Sequence, residues 1–150
     1  MIMYRKLAIG TLILMSAVVP AQAQDKIKLG FMTPLSGPLT FLGKEQIMGM
    51  ELALDRLGYK LGGIPVEVIK ADGRMSAATA NQAVTKLIEQ NKIDILTGLL
   101  LSNQTIAITK PVADQGIFVI SGVSGPKPMA ASKCHENFFN ISWQNEQPSE

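Results

Sequence analysis

The fold is decided by residues 93–120, IDILTGLLLSNQTIAITKPVADQGIFVI. This stretch predicts a strand at residues 93–97, a helix over residues 102–115 and a second strand at residues 116–120. Both strand candidates are rich in Ile, Val and Leu, which is typical of strands that are buried on both faces of a sheet. Pro111 is expected to kink or shorten the helix. A strand, a helix and a strand in this order indicate one unit of a parallel sheet.

The same alternation extends to both sides of this unit. The other strand candidates are short apolar runs at residues 27–32, 66–69 and 138–143. A helix between Phe41 and Leu57 has apolar residues at spacings of three and four, and it is expected to end at the glycines that follow. Its apolar residues are Ile47, Met50, Leu54 and Leu57. Another helix begins after Ser76, which can cap it. Its apolar face consists of Ala80, Ala83, Val84, Leu87 and Ile88.

Five strands, the first four of them separated by helices, predict an α/β fold in which helices cover both faces of an open, doubly wound parallel sheet. A closed barrel needs more units than the chain supplies. In open parallel sheets, ligands bind beyond the carboxyl ends of the strands, where the strand order reverses. For a 2-1-3-4-5 order this point lies between the first and third strands. The loops concerned are residues 33–40, 98–102 and 121–126, and none contains a carboxylate, a histidine or a cysteine.

Ser102 and Asn103 open the helix that follows the third strand. A helix N-terminus exposes unpaired backbone N–H groups and a partial positive charge, so it can hold a carboxylate or a phosphate. The Ser102 hydroxyl either adds a donor to such a site or caps its own helix, and the two roles are compatible.

A second loop of the same kind follows the fourth strand and reads SGVSG at residues 121–125. Its two glycines permit close approach of a ligand to the backbone, and Ser121 and Ser124 supply hydroxyls. An ordinary flexible turn is the alternative interpretation.

Motifs of enzymes are missing from the sequence. There is no Gly-x-Gly-x-x-Gly after the first strand, no phosphate-binding P-loop and no Gly-x-Ser-x-Gly nucleophile elbow. Cys134 and His135 are adjacent, and adjacent residues of a strand point to opposite faces, so they are not expected to share a metal ion. No catalytic residue, no metal and no cofactor is predicted.

The net charge indicates which partners to expect, and the N-terminal residues indicate whether the chain is exported. Lys and Arg number 14 against 12 Asp and Glu, and Arg5 and Lys6 account for the whole surplus. A neutral remainder gives no reason to expect nucleic acid or anionic lipid as a partner. Residues 1–23 have the parts of a secretion signal: the basic pair, an uncharged apolar run at residues 7–19, and Ala21-Gln22-Ala23 as a cleavage pattern. No later apolar run is long enough for a membrane span, so an exported chain is predicted.

Several motifs occur in a defined order along the chain. They are IKLGFMTPLSGP (27–38), Gly43, GMELA (49–53), LGGIPVEV (61–68), NQA (81–83), GLLLS (98–102) and FFNISWQN (138–145). Together they resemble the leucine/isoleucine/valine-binding proteins, which are periplasmic receptors of ABC transporters. The resemblance covers residues 26–150.

This resemblance implies a type I periplasmic binding protein, a two-lobed clamshell that is not an enzyme. Residues 24–145 would form the first lobe, and residues 146–150 would begin the crossover to a second lobe that the sequence does not contain. An incomplete lobe is expected to leave apolar surface around Phe138, Phe139 and Trp143 partly uncovered.

The resemblance also implies a ligand and a partner. A small carboxylate, either a branched-chain amino acid or a related aromatic acid, would be held by Ser102 and Asn103 at the helix start and by Val123 and Ser124 in the SGVSG loop. Receptors of branched-chain amino acids often place an aromatic residue just before the glycine that corresponds to Gly43. Leu42 stands there in this chain, with Phe41 one step earlier. The partner would be a membrane permease.

Two other functions remain open at this point. A ligand-sensing lobe of the same fold would signal rather than transport, and permease and ATPase genes beside this one would favour transport. An exported flavodoxin-like hydrolase belongs to a different class, and it would need acid–base groups that the three loops lack.

Overall fold

A computed structural model describes residues 26–145, and the predicted signal (1–23) and crossover (146–150) lie outside these residues. The elements, in chain order, are β1 (Ile27–Thr33), α1 (Thr40–Arg56), β2 (Lys60–Leu61), β3 (Ile64–Asp72), α2 (Ala77–Lys86) with a π-helical turn (Leu87–Asn91), β4 (Ile95–Thr97), α3 (Ser102–Ala113), β5 (Phe118–Ser121), a 3₁₀ turn (Lys127–Ala130) and β6 (Phe138–Asn140). No helix within residues 26–145 has the length and apolarity needed to cross a membrane.

The strands form a six-stranded sheet in the order β2-β3-β1-β4-β5-β6. All neighbours are parallel except β2, which runs antiparallel to β3 at the edge. Without β2 this is the predicted 2-1-3-4-5 order, so the doubly wound parallel sheet is confirmed. The third and fourth strands begin two residues later than predicted, and the fifth ends at Asn140 rather than at residue 143.

The β2–β3 hairpin was not predicted. Gly62 and Gly63 join the two strands with φ angles of 57° and 86°, and a two-residue turn with two positive φ angles suits a tight hairpin. These glycines had been expected only to end the preceding helix. The Gly-Gly pair between two apolar runs is the sequence pattern that indicates such a hairpin.

One face of the sheet is closed by α2 and α3. Met32, Leu96 and Val119 are fully buried there, against a helical surface that includes the predicted α2 residues. Ser76 caps α2 as predicted, because its Oγ accepts the Thr79 N–H at 3.1 Å. Helix α3 ends at Ala113, two residues after Pro111, whereas the predicted helix extends to residue 115.

The opposite face carries α1. Leu54 is buried, but Leu57 is 54% exposed because α1 ends at Arg56, so the predicted apolar stripe is wrong at its last position. Farther along this face, the rings of Phe118 and Phe139 lie 6.0 Å apart and each is about half exposed. Phe139 and Trp143 are therefore uncovered as expected, whereas Phe138 packs against the core of the other face.

Candidate ligand-binding site

The strand order reverses at β1, whose neighbours are β3 on one side and β4 on the other. A single side chain, Gln46 of α1, bridges the carboxyl ends of β1 and β4. Its Oε1 accepts the Thr33 hydroxyl, and its Nε2 donates to Gly98 O at 2.8 Å. Gly98 has a φ of +101°, and a Cβ atom there would lie 2.6 Å from Met32 O. The loops after the first and third predicted strands are thus held against each other.

Helix α3 is tied to the same edge by a second amide. Gln104 is almost fully buried, and its Nε2 donates to Gly73 O at 2.6 Å. This bond connects the first turn of α3 to the loop that follows β3. Since α3 is fixed at its N-terminal turn, the groups that its N-terminus presents are held in place relative to the sheet.

Ser102 does not cap its own helix. The capping position is Leu101, and no side chain there caps the helix. The Ser102 Oγ instead accepts hydrogen bonds from the Ser124 hydroxyl at 3.1 Å and from the Asn145 Nδ2 at 2.8 Å. The structure therefore brings Ser102 and Ser124 together, and the capping interpretation is wrong.

The two loops that contain this hydroxyl pair also contain unpaired backbone donors. Within residues 26–145, the N–H groups of Ser102 and Asn103 have no acceptor, and neither do those of Val123 and Ser124. The Asn103 side chain is exposed and has no hydrogen bond within the same residues. The edge after β4 and β5 therefore presents donors from two loops.

The two serines of the SGVSG loop differ in their partners. Ser121 is fully buried, and its hydroxyl donates to Ser124 O, so it braces the loop and is not available to a ligand. Ser124 is 2% exposed, and its Oγ contacts the hydroxyls of Ser102 and Thr105. The expectation that both serines offer hydroxyls to a ligand is therefore wrong, because Ser124 donates its only hydroxyl hydrogen to Ser102 Oγ.

Phe41 and Leu42 lie in the first turn of α1, at the carboxyl end of β1. Phe41 is 58% exposed and Leu42 is half-buried. Ser102 and Ser124 follow β4 and β5, so the apolar residues and the hydrogen-bond donors come from different segments at the same sheet edge.

Sequence reasoning missed a carboxylate at this edge. Asp72 ends β3 and accepts hydrogen bonds from Leu35 N–H at 2.9 Å, Ser36 Oγ at 2.6 Å and Arg74 N–H at 2.8 Å. Partial burial acts to raise the pKa of Asp72, but these three hydrogen bonds and the Arg74 charge outweigh it and hold the pKa below its ordinary value. The first loop, although it contains no carboxylate itself, is thus next to a negative charge.

Cys134 and His135 do not lie in a strand, so the argument that they point to opposite faces is wrong. Both precede β6 and line one cavity of about 610 Å³ beside α3. His135 Nε2 lies 3.3 Å from Asp114 Oδ1. Within residues 26–145 no group of three or more His, Cys, Asp and Glu side chains is arranged to hold a metal ion.

Comparison with known proteins adds to this geometry. Residues 26–150 match the family model described as periplasmic binding protein. Among curated proteins, the Leu/Ile/Val-binding protein homolog 6 of Brucella abortus (strain 2308) is 30% identical over 117 residues, which cover 75% of this chain and 29% of the relative. Homolog 7 of Brucella suis biovar 1 is 32% identical over 107 residues, which cover 69% of this chain and 26% of the relative. The chain thus spans less than a third of the length of these relatives.

Solved structures show the same fold. A solute-binding protein of an ABC transporter from R. palustris, in complex with benzoate, is 32% identical with a TM-score of 0.77, over 82% of this chain and 34% of that one. The branched-chain amino acid transporter substrate-binding protein of Streptococcus pneumoniae, in complex with isoleucine, is 26% identical with a TM-score of 0.71, over 80% and 34% of the two chains. These likenesses confirm the predicted first lobe of a type I periplasmic binding protein.

Proposed function

Because the chain belongs to the periplasmic binding protein family, we propose that it captures a small organic carboxylate outside the cytoplasm and delivers it to the permease of an ABC transporter. Its relatives and structural neighbours are solute-binding proteins, and we accordingly propose binding without turnover. Residues 1–23 would be the export signal, residues 24–145 the first lobe, and residues 146–150 the start of the crossover to a second lobe.

The observation that carries this proposal is the convergence of donors after β4 and β5. Ser102 and Ser124 are in contact at 3.1 Å, and their two loops also contain N–H groups that have no acceptor within residues 26–145. An anion satisfies such a set of donors, and the N-terminal end of α3 adds a partial positive charge. Each hydrogen bond to a charged group contributes about 1.5–3 kcal/mol, so two or three are enough to orient a small ligand.

The proposed ligand class follows from the same donors. Benzoate and isoleucine, which two structural neighbours bind, have a carboxylate as their only common polar group. In this chain the carboxylate would contact Ser102, Asn103, Val123 and Ser124. The apolar part of the ligand would then face the adjacent loop, where an exposed Phe41 and a half-buried Leu42 are available.

A thermal-shift screen of the full-length mature protein tests the ligand class. Benzoate, 4-hydroxybenzoate, leucine and isoleucine form one set, and glucose and spermidine form the contrast set. A ligand at 100 times its dissociation constant stabilises the folded state by about 2.7 kcal/mol, which produces a clear rise in Tm. Stabilisation by a contrast compound and by none of the carboxylates would refute the proposed ligand class.

Delivery to a permease needs a separate experiment. Uptake of the identified carboxylate into cells should be lost when the gene for this protein is deleted, and it should return with the wild-type gene. Normal uptake accompanied by loss of a transcriptional response would favour a sensing role instead. Steady hydrolysis of an ester by the purified protein, abolished in Ser102→Ala, would favour the hydrolase.

A further inference from the structure

Asn145 has no assigned role in the proposed site, although it contacts the Ser102 hydroxyl. We infer that Asn145 is a positioning residue that keeps Ser102 oriented as a hydrogen-bond donor, and that it thereby makes the site select an ionised carboxylate over the corresponding carboxamide. This inference rests on the proposed function, because it concerns how the same site distinguishes its ligands.

The backbone holds Asn145 in place beside the SGVSG loop. Its N–H donates to Gly125 O at 2.9 Å. Gly125 is buried, and a methyl group at its Cα would overlap the Trp143 carbonyl oxygen, so only glycine lets the two segments approach this closely. From this anchored position the Asn145 Nδ2 reaches Ser102 Oγ at 2.8 Å, across 43 residues of sequence.

The second partner of Ser102 belongs to a chain of hydroxyls. The Thr105 Oγ1 lies 3.1 Å from Leu101 O and 3.2 Å from Ser124 Oγ, so its hydrogen is shared between these two acceptors. The Ser124 hydroxyl donates in turn to Ser102 Oγ at 3.1 Å. Each donor in such a chain polarises the next hydroxyl, which strengthens the last hydroxyl as a donor.

These contacts leave the Ser102 hydroxyl able to donate a hydrogen bond but not to accept another. A serine hydroxyl has two acceptor lone pairs and one hydrogen. Asn145 and Ser124 occupy the two lone pairs, and the hydrogen has no acceptor within residues 26–145. Ser102 can therefore donate to a ligand but cannot accept from one.

Selectivity follows because Ser102, with both lone pairs occupied, and the backbone N–H groups of the two loops can only donate. Both oxygens of a carboxylate accept hydrogen bonds from Ser102 and the nearby backbone N–H groups. A carboxamide presents an NH₂ group to one of these donors, which cannot accept a hydrogen bond from it. A polar group left unpaired in a binding site is strongly rejected, so the amide should bind far more weakly than the acid.

Asn145→Asp in the full-length protein tests this inference. The variant carboxylate is close to the amide in shape, but it accepts the Ser102 hydrogen and adds a negative charge. Calorimetry would compare benzoate with benzamide and leucine with leucinamide, using the pair whose acid the wild type binds. We expect the acid to lose at least 100-fold in affinity, and the acid-to-amide preference to fall from at least 100 to below 10.

Two further variants keep the result interpretable. Asn145→Ala removes the donor without adding charge, and it should lower both acid affinity and preference about tenfold even if Asn145→Asp does not fold. Gln115→Glu, an exposed residue just beyond the far end of α3, adds the same net charge and should leave both values unchanged.

The outcomes separate the two proposals. A wild type that binds no carboxylate refutes the proposed function and this inference with it. A wild type that binds the acid, with Asn145 variants that keep its affinity and preference within threefold, overturns the role of Asn145 and leaves the proposed function standing.

Discussion

Two serines stand at the same edge of the sheet and have opposite roles in hydrogen bonding. Ser36 lies in the loop after β1, and its hydroxyl donates to Asp72 Oδ2 at 2.6 Å. Ser102 follows β4, and its oxygen accepts from Ser124 and Asn145. The hydrogen of Ser36 is therefore already used, whereas that of Ser102 is available.

The comparison shows that a hydroxyl acquires its role from its partners. Asp72 brings a negative charge to the loop after β1, and that charge opposes an anionic ligand there. Amide and hydroxyl donors converge after β4 and β5, where an anion is favoured. The loop after β1 thus braces the edge, whereas the segments after β4 and β5 are suited to hold the ligand. The following variants separate these two roles.

The largest expected effect is on the packing that supports the loop after β1. In Gly43→Ala the new methyl group overlaps the Pro34 carbonyl oxygen, which belongs to the backbone and cannot rotate away. We expect the free energy of unfolding to fall by about 3 kcal/mol, as measured in urea. Gly49→Ala is the matched control on the same helix, because a methyl group there meets no atom within 4 Å. It should stabilise the protein by about 0.5–1 kcal/mol, and equal effects of the two variants would contradict the packing argument.

Ser102→Ala tests the loop in which the hydroxyl hydrogen is available. Loss of one hydrogen bond to a charged ligand should lower carboxylate affinity by about 1.5–3 kcal/mol, which is roughly 10- to 150-fold in calorimetry. Its Tm should also fall modestly, because Ser124 and Asn145 lose the Ser102 oxygen as an acceptor. Ser36→Ala removes a serine from the other loop and should change affinity less than threefold. A larger loss from Ser36→Ala than from Ser102→Ala would reverse the assignment of the two loops.

Asp72 should make part of the stability depend on pH. Its pKa in the folded protein is held below the ordinary 3.8, so its contribution is fully present above that value and disappears as pH falls through the folded-state pKa. Urea midpoints measured from pH 6 down to pH 3 should therefore fall less steeply in Asp72→Asn than in the wild type. Asp55→Asn, on the exposed surface of α1, serves as the charge control. Identical pH profiles for wild type and Asp72→Asn would show that the carboxylate does not brace this edge.

The smallest expected effect is that of Ser36→Ala on stability. It removes one exposed hydrogen bond to Asp72, so the free energy of unfolding at pH 7 should fall by about 1 kcal/mol. Because the two residues share that bond, the loss should be smaller when Asp72→Asn is already present. Strict additivity in this double-mutant cycle would mean that the bond contributes nothing.

The sequence by itself determined the sheet, its five parallel strands and the edge at which a ligand binds in such folds. Apolar periodicity reports burial directly, which is why the α2 face and the buried strands were predicted from residue types alone. Apolar periodicity predicts the ends of elements less accurately. Leu57 is exposed, and Gly62 and Gly63 form a hairpin. The Gly-Gly pair indicates a hairpin, but it equally fits the end of the preceding helix, which is the interpretation that the sequence favours.

The tertiary structure alone decided which hydroxyl is free to donate. Ser36 and Ser102 are the same residue type in loops of similar composition, and a hydroxyl both donates and accepts. Their difference comes from Asp72, 36 residues from Ser36, and from Asn145, 43 residues from Ser102. Such partners meet only because β3 lies beside β1 and because the chain returns past β6 to the start of α3. A local pattern contains the hydroxyl, but the path of the whole chain determines which groups it is bonded to.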